Sequence, residues 1–253
     1  MKKFLSLVSG LVIVLCSHVE SAKASDAEIR NFILQNPEII AEALQKYEQQ
    51  QREKREGQAA ELHIIYAQDI MSHEGVPFIG PEDAKVTVTE FFDFSCGYCK
   101  KLSPEIEKII ADNADVKFVF KPLTFVSPVS GYQAKASFAA FNQGKFLEFY
   151  KGVLQGNANS EELVDEIAGN AGVDMEKYKA DIKSEEINRH ISDVSSFAQK
   201  IQVNGVPTVF INGKQVNGRS AAELQAAIDE AIDDVAKNIL LDKKQLLKFL
   251  NEQ

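Results

Sequence analysis

Apolar residues along this chain change their spacing several times, and each change marks an element. Ile29, Phe32 and Ile33, then Ile40, Leu44 and Tyr47, recur three or four apart, which is one face of a helix. Asn36-Pro37-Glu38 restarts that helix, with Asn as cap, Pro at the first helical position and an acid in the first turn. Asp26 is placed to cap the first helix. Residues 48–56 contain no apolar side chain, and Glu48, Arg52 and Glu56 stand four apart, as suits a solvated helix. A second apolar patch follows at Leu62, Ile65, Tyr66, Ile70 and Met71. A short amphipathic segment cannot bury its stripe alone, so this arm, residues 25–74, docks on its own domain or on a copy of itself. The polar stretch between the two patches favours the copy.

The pattern then changes period. Pro77, Gly80 and Pro81 mark a loop, and residues 86–92 form an almost continuous apolar run, read as a buried strand. A helical stretch with Leu102, Ile106, Ile109 and Ile110 follows, with Pro104 expected to kink it. Residues 116–121 alternate like a strand and stop at Pro122. Residues 123–200 are a helical block, punctuated by cap signals at Asn159 with Glu162, at Asp174 and at Ser184. Residues 208–211 and 214–216 flank Asn212-Gly213, a strong hairpin signal. Ser220 with Glu223 opens a last helix carrying Leu224, Ile228 and Val235, and a tail over 240–253 adds Leu246, Leu247 and Leu250. The order predicts an α/β body over 75–122 and 201–239, interrupted by a helical domain over 123–200.

Composition adds a compartment. The 253 residues are 45% hydrophobic and 26% charged, ordinary for a globular chain. Lys2-Lys3, an apolar run over 4–16 and Ala22-Lys23-Ala24 have the order of an export signal over residues 1–24, with cleavage before Ser25. The run is too short for a comfortable membrane span. Lipidation at Cys16, which would tie the protein to the outer membrane, wants a small residue before the Cys, where Leu15 stands. The expected location is therefore the periplasm. The net charge is −9, and −11 without residues 1–24. That argues against nucleic acid or anionic membrane as a partner.

The thiols carry the chemistry. Of three cysteines, Cys16 leaves with the signal, and Cys96-Gly97-Tyr98-Cys99 holds the other two. So short a loop removes little unfolded-chain entropy when closed, so reactivity explains the pair better than stability does. At a strand-to-helix turn, free backbone N–H groups favour a thiolate at Cys96, the attacking sulfur, while Cys99, one turn in, is shielded and resolves. Glu90 stands in an otherwise apolar strand, either facing solvent or tuned to relay the Cys99 proton. Lys121, ending the next strand, is placed to pair with Glu90. In Gly205-Val206-Pro207-Thr208, a proline opening a strand can be cis and leave backbone groups free for an extended substrate, or be an ordinary trans turn residue. Structural zinc wants four ligands, and His63, His73 and His190 have no ligand spacing; all three read as solvated surface residues. No metal and no cofactor beyond the Cys96–Cys99 disulfide is expected.

Residues 90–100, Glu90-Phe91-Phe92-Asp93-Phe94-Ser95-Cys96-Gly97-Tyr98-Cys99-Lys100, resemble the active-site segment of DsbA-family proteins. Ser127-Pro128-Val129-Ser130 and Gln143-Gly144-Lys145-Phe146 resemble the start of that family's inserted domain, and residues 205–208 its cis-proline loop. The resemblance implies a thioredoxin fold with an inserted helical domain and a disulfide-exchanging function. It implies exported cysteine-containing proteins as substrates and a membrane redox partner that recycles the thiols. It matches Glu90 and Lys121 to a buried charge pair, and Val206 and Pro207 to the substrate-contacting loop. Gly97 and Tyr98 stand at the Pro-His position of strong oxidases. Losing that His predicts a weaker oxidant, and Gly-Tyr also occurs in DsbC-type isomerases. The arm at 25–74 resembles the N-terminal extensions of the Com-type and ScsC-like branch, which implies a homo-oligomer, dimer or trimer. The competing expectation is an oligomeric chaperone or a Cu(I)-handling thiol protein without redox turnover, since two thiolates suit Cu(I).

Overall fold

The computed structural model describes residues 25–218 and 220–251, so the export signal expected over 1–24, with Cys16, lies outside the described residues. The chain divides into two units between Glu53 and Lys54. In the first, α1 (Asp26–Gln35) and the start of α2 (Pro37–Ile65) break at Asn36 as the sequence predicts. Ser25, not Asp26, caps α1: its hydroxyl accepts from the Glu28 N–H at 3.3 Å, and the Glu28 carboxylate accepts from the Ser25 N–H at 2.8 Å. Ile29, Phe32, Leu34, Leu44 and Tyr47 are exposed.

The second unit begins earlier than the expected boundary at 74/75. The end of α2 buries His63, whose Nε2 lies 3.0 Å from the Ile201 carbonyl and whose ring meets Phe210 edge-on. α3 (Ala67–Met71) buries Ile70 completely. The second apolar patch therefore docks on the body through Ile70 and, in part, Leu62, Tyr66 and Met71, while Ile65 stays exposed. The histidine expectation also needs correcting. His63 is buried, with desolvation lowering its pKa, His73 tilts against Phe78, and His190 stacks on Phe138. Imidazole is apolar on its faces, which pack on aromatic rings, and the carbonyl satisfies the Nε2–H of His63.

Five strands form one sheet in the order β1-β3-β2-β4-β5: β1 (Phe78–Ile79), β2 (Thr87–Phe92), β3 (Lys117–Pro122), β4 (Thr208–Ile211) and β5 (Lys214–Val216). β2 and β3 are parallel and joined through α4 (Gly97–Asp112); the other pairs are antiparallel. Asn212 and Gly213 both take positive φ at the β4–β5 turn, as an Asn-Gly hairpin requires. The register sets Glu90 opposite Phe120 and Val209, and Phe91 opposite Lys121. Alternation then puts Val88, Glu90 and Phe92 on one face and Thr87, Thr89, Phe91 and Lys121 on the other.

The insertion is five helices: α5 (Ser130–Phe141), α6 (Phe146–Gln155), α7 (Glu161–Asn170), α8 (Met175–Asp181) and α9 (Glu185–Lys200). Asp174 and Ser184 cap α8 and α9 as expected; α7 is capped by Ser160, one residue after the predicted Asn159. α6 covers the Glu90 face, where Tyr150 packs among Phe92, Phe94 and Phe120. α3 and α9 cover the other face, through the Thr89 hydroxyl on the Ile70 carbonyl and Phe197 beside Phe91. α10 (Ala221–Asn251) continues unbroken past residue 240, so the expected tail is the end of this helix. The side chains of Leu246, Leu247 and Leu250 lie outside those described.

Candidate active site

Cys96 is the N-cap of α4, in extended conformation at φ −75° and ψ 122°. Its N–H donates to the Asp93 carbonyl at 2.9 Å, and its own carbonyl accepts from Lys100 at 3.0 Å. The sulfur thus sits at the end of the helix where backbone N–H groups are unpaired. Both thiols are free in this structure. Cys96 retains a sliver of exposure at 7%, whereas Cys99 has none.

The Val206–Pro207 peptide is cis, and the Cys96 Sγ lies 3.5 Å from the Val206 carbonyl oxygen. A contact across 110 residues therefore closes one side of the site. Tyr98 projects into solvent with the Lys101 ammonium 5.5 Å from its ring centre, and Gly97 has open space on its side-chain side. A groove of about 650 Å³ runs from Tyr98 and Leu102 past Pro207 to Gln215 and Gly218 on the hairpin side.

Beneath the turn the electrostatics belong to burial. Desolvation pushes the Cys99 thiol far up, the Glu90 charge adds to this, and a hydrogen bond with the Asp93 backbone opposes it. Glu90 is buried at 2% exposure, so it does not face solvent. Burial raises its carboxyl to about 7, and the hydrogen bond from the Tyr150 hydroxyl pulls the other way. That hydroxyl donates to Oε2 at 2.9 Å, while Oε1 has no partner among the described residues.

Lys121 does not pair with Glu90, which corrects the expected charge pair. The strand register puts the two on opposite faces of the sheet. The Lys121 ammonium donates to the Ser72 and Asp69 carbonyls at 3.0 and 3.4 Å and lies 5.6 Å from the Phe197 ring centre. Burial lowers its pKa to about 8, with Asp69 opposing.

Two residues at the site escaped the sequence reading. Tyr150 carries no sequence signal of its own; a carboxylate in a buried strand needs a donor, but the sequence does not say which hydroxyl supplies it. Asp93 is fully buried, and its carboxylate accepts from the Ser95 N–H (2.8 Å), the Ser130 hydroxyl (2.7 Å) and the Val126 N–H (3.0 Å). Asp two residues before Ser95 is an Asx-turn signal that was available. Among the described residues no three His, Cys, Asp or Glu side chains gather as a metal-ligand set.

A five-stranded mixed sheet with a thiol pair capping its crossover helix against a cis-proline loop defines the thioredoxin-fold class. Comparison with known proteins agrees. Residues 72–230 match the thioredoxin family, and residues 26–54 match the family described as copper resistance protein ScsC N-terminal domain. The first match takes in more than half of the chain: the protein belongs to the thioredoxin family. A protein of Bacillus cereus named Probable disulfide bond formation protein D is 31% identical over 153 residues, 55% of this chain and 71% of that one. A Na(+)/H(+) antiporter NhaA 1 of Salinispora arenicola is 31% identical over 157 residues, 60% of this chain, which spans only 24% of the antiporter. The crystal structure of a thioredoxin-like oxidoreductase from Silicibacter pomeroyi superposes with a TM-score of 0.60 at 29% identity, over 65% of this chain and 96% of that one.

Proposed function

We propose that this protein is an exported thiol:disulfide oxidoreductase that forms or reshuffles disulfides in other exported proteins. The observation that carries the reading is the Cys96 sulfur, at a helix N-terminus, set against the Val206 carbonyl of the cis-proline loop, with Cys99 and Glu90 buried beneath it. The relative named for disulfide bond formation supports it.

The chemistry follows from the placement. In the oxidising direction a substrate thiolate attacks Cys96 of the Cys96–Cys99 disulfide. Cys99 leaves and takes a proton from the Glu90 carboxyl; a second substrate thiolate then attacks the mixed disulfide and Cys96 leaves. In the reducing or isomerising direction the Cys96 thiolate attacks a substrate disulfide. Glu90 takes the Cys99 proton, and the Cys99 thiolate attacks Cys96 to release the substrate. A carboxyl held near 7 is matched to giving and taking a proton at neutral pH. The cis-proline loop and the groove beside Tyr98 bind extended substrate. Gly97-Tyr98, without a His between the cysteines, supports a weaker oxidant with isomerase activity. The export-signal pattern over residues 1–24 supports the periplasm as its place of work, where a membrane redox partner recycles the thiols.

The exposed apolar residues of α1 and early α2, from Ile29 to Tyr47, support self-association of the arm as a dimer or trimer. The test assays the protein from Ser25 onward for dithiol oxidation and for refolding of a scrambled disulfide protein. Cys96→Ser abolishes both, and Cys99→Ser accumulates mixed disulfides; inactivity of the intact pair in both assays overturns the proposal. The arm's match to a family named for copper resistance favours one second reading, stoichiometric Cu(I) binding by the two thiols. Cu(I) binding that survives competition by glutathione, without turnover, selects it.

A further inference from the structure

Tyr150 comes from α6, in the inserted domain, yet its hydroxyl ends on the central strand of the sheet. The ring is held by Phe92, Phe94, Phe120 and Phe146, at centroid distances of 5.1 to 6.2 Å. It is fully buried, in packing of the kind that holds a side chain in one rotamer. The hydroxyl is therefore a fixed point. Glu90, by contrast, has three rotatable side-chain bonds and would otherwise choose its own orientation.

The hydrogen bonding of the carboxylate is lopsided. Oε2 accepts from Tyr150 at 2.9 Å, and Oε1 is buried with no partner among the described residues. Buried polar atoms are usually satisfied, and a bare one costs free energy that folding must supply elsewhere. A proton relay uses an acceptor oxygen left open, and the Glu90 charge acts directly on Cys99. We infer that Tyr150 is the positioning residue of this relay, its hydroxyl pinning one oxygen of Glu90 so that the other stays open for the Cys99 proton. This rests on the Glu90 relay proposed above and adds the group that orients it.

The step balances simply. The Glu90 carboxylate takes the proton of the Cys99 thiol; the thiolate forms the bond to Cys96, and the substrate leaves as its thiolate. Tyr150 keeps its own proton throughout, because burial and the adjacent Glu90 charge hold its ionisation far above neutral pH. Among the described residues, these titratable groups act on the carboxylate or on its Tyr150 partner. Cys99, coupled to Cys96, comes from α4; Glu107 of α4 acts on Tyr150 and is paired with Lys151 at 3.3 Å. The cross-strand neighbours Phe120 and Val209 carry no charge. The Tyr150 hydrogen bond is the interaction that favours the charged carboxylate against burial.

The test loads Cys96 with glutathione as a mixed disulfide and follows glutathione release by Cys99 from pH 5 to 9. The wild-type protein is compared with Tyr150→Phe and Glu90→Gln. Tyr150→Phe removes one oxygen and keeps the ring; it is expected to raise the midpoint of the pH–rate profile by about one pH unit, the scale of a hydrogen bond to a charged group. Glu90→Gln is expected to slow release and remove the limb altogether. A Glu90→Gln profile identical to wild type overturns the relay and this inference with it. A flattened Glu90→Gln profile beside an unmoved Tyr150→Phe midpoint overturns the Tyr150 role alone. Should Tyr150→Phe not fold by far-UV circular dichroism, ¹³C NMR of the wild-type protein decides. The Tyr150 ring Cζ must shift with the same midpoint as the Glu90 carboxyl, and a Tyr150 signal indifferent to that titration overturns the inference.

Discussion

A carboxyl group with 2% exposure and one unpartnered oxygen makes the stability of this fold depend on pH. Glu90 titrates near 7 in the folded chain and at its ordinary 4.5 when unfolded. Between those values the folded state holds the proton and the unfolded state does not, so stability falls as pH rises from about 4.5 to 7 and is level above. The cost above pH 7 is on the order of 3 kcal/mol. Glu90→Gln is expected to be more stable than wild type by up to that amount at pH 8 and nearly equal to it at pH 4, measured by urea denaturation at both. Lys121 behaves as a separate residue. It faces away from Glu90 and ties the carbonyls of Asp69 and Ser72 to β3. Lys121→Met is expected to lower stability by about 1–3 kcal/mol through those orphaned acceptors and to leave the pH midpoint of Cys99-dependent release unchanged.

The turn between β2 and α4 is held from the side by the inserted domain. Asp93 accepts from Ser95 within the turn, from Val126 in the loop after β3 and from Ser130 at the start of α5, while its carbonyl receives the Cys96 N–H. The Ser95 hydroxyl adds a bond to Gln133 at 2.9 Å. The cap geometry of Cys96 is thus fixed through contacts such as Ser95 to Gln133, 38 positions apart. Asp93→Ala leaves three donors without an acceptor and is expected to cost about 3 kcal/mol, read from the denaturation midpoint. Ser130→Ala removes one donor to Asp93 and the acceptor of the Ser127 N–H, and is expected to cost about 1–2 kcal/mol. The alternating and capped elements were legible because their signals are local: Asn212-Gly213 makes the hairpin, and Asp174 and Ser184 start their helices. The cap at Ser160 was missed by one residue because Asn159 and Ser160 are both good caps, and only the backbone path shows which side chain reaches Leu163.

On the scale of the whole molecule, the division falls at residue 53, within α2, rather than at 74. His63 and Ile70 dock the second apolar patch, leaving the first patch, from Ile29 to Tyr47, as the apolar surface of the first unit that can recruit a copy. Deleting residues 25–53 is expected to convert an oligomer to a monomer by light scattering and to leave dithiol oxidation by Cys96–Cys99 intact. An already monomeric full-length chain would assign the arm another use.

The sequence by itself determined the thiol pair, the helix start beneath it, a proline at the head of a strand and the order of elements. Each follows from short-range chemistry: a two-residue spacing, a cap, a ring that fixes φ, a period of 2 or 3.6. Tertiary structure decided which partner each buried group has. Glu90 and Lys121 are one register position out of alignment, which puts a whole sheet between them, and Glu90 instead meets a hydroxyl 60 residues away. No local pattern encodes that choice, because it depends on how far the strands slide past one another and which helix covers each face.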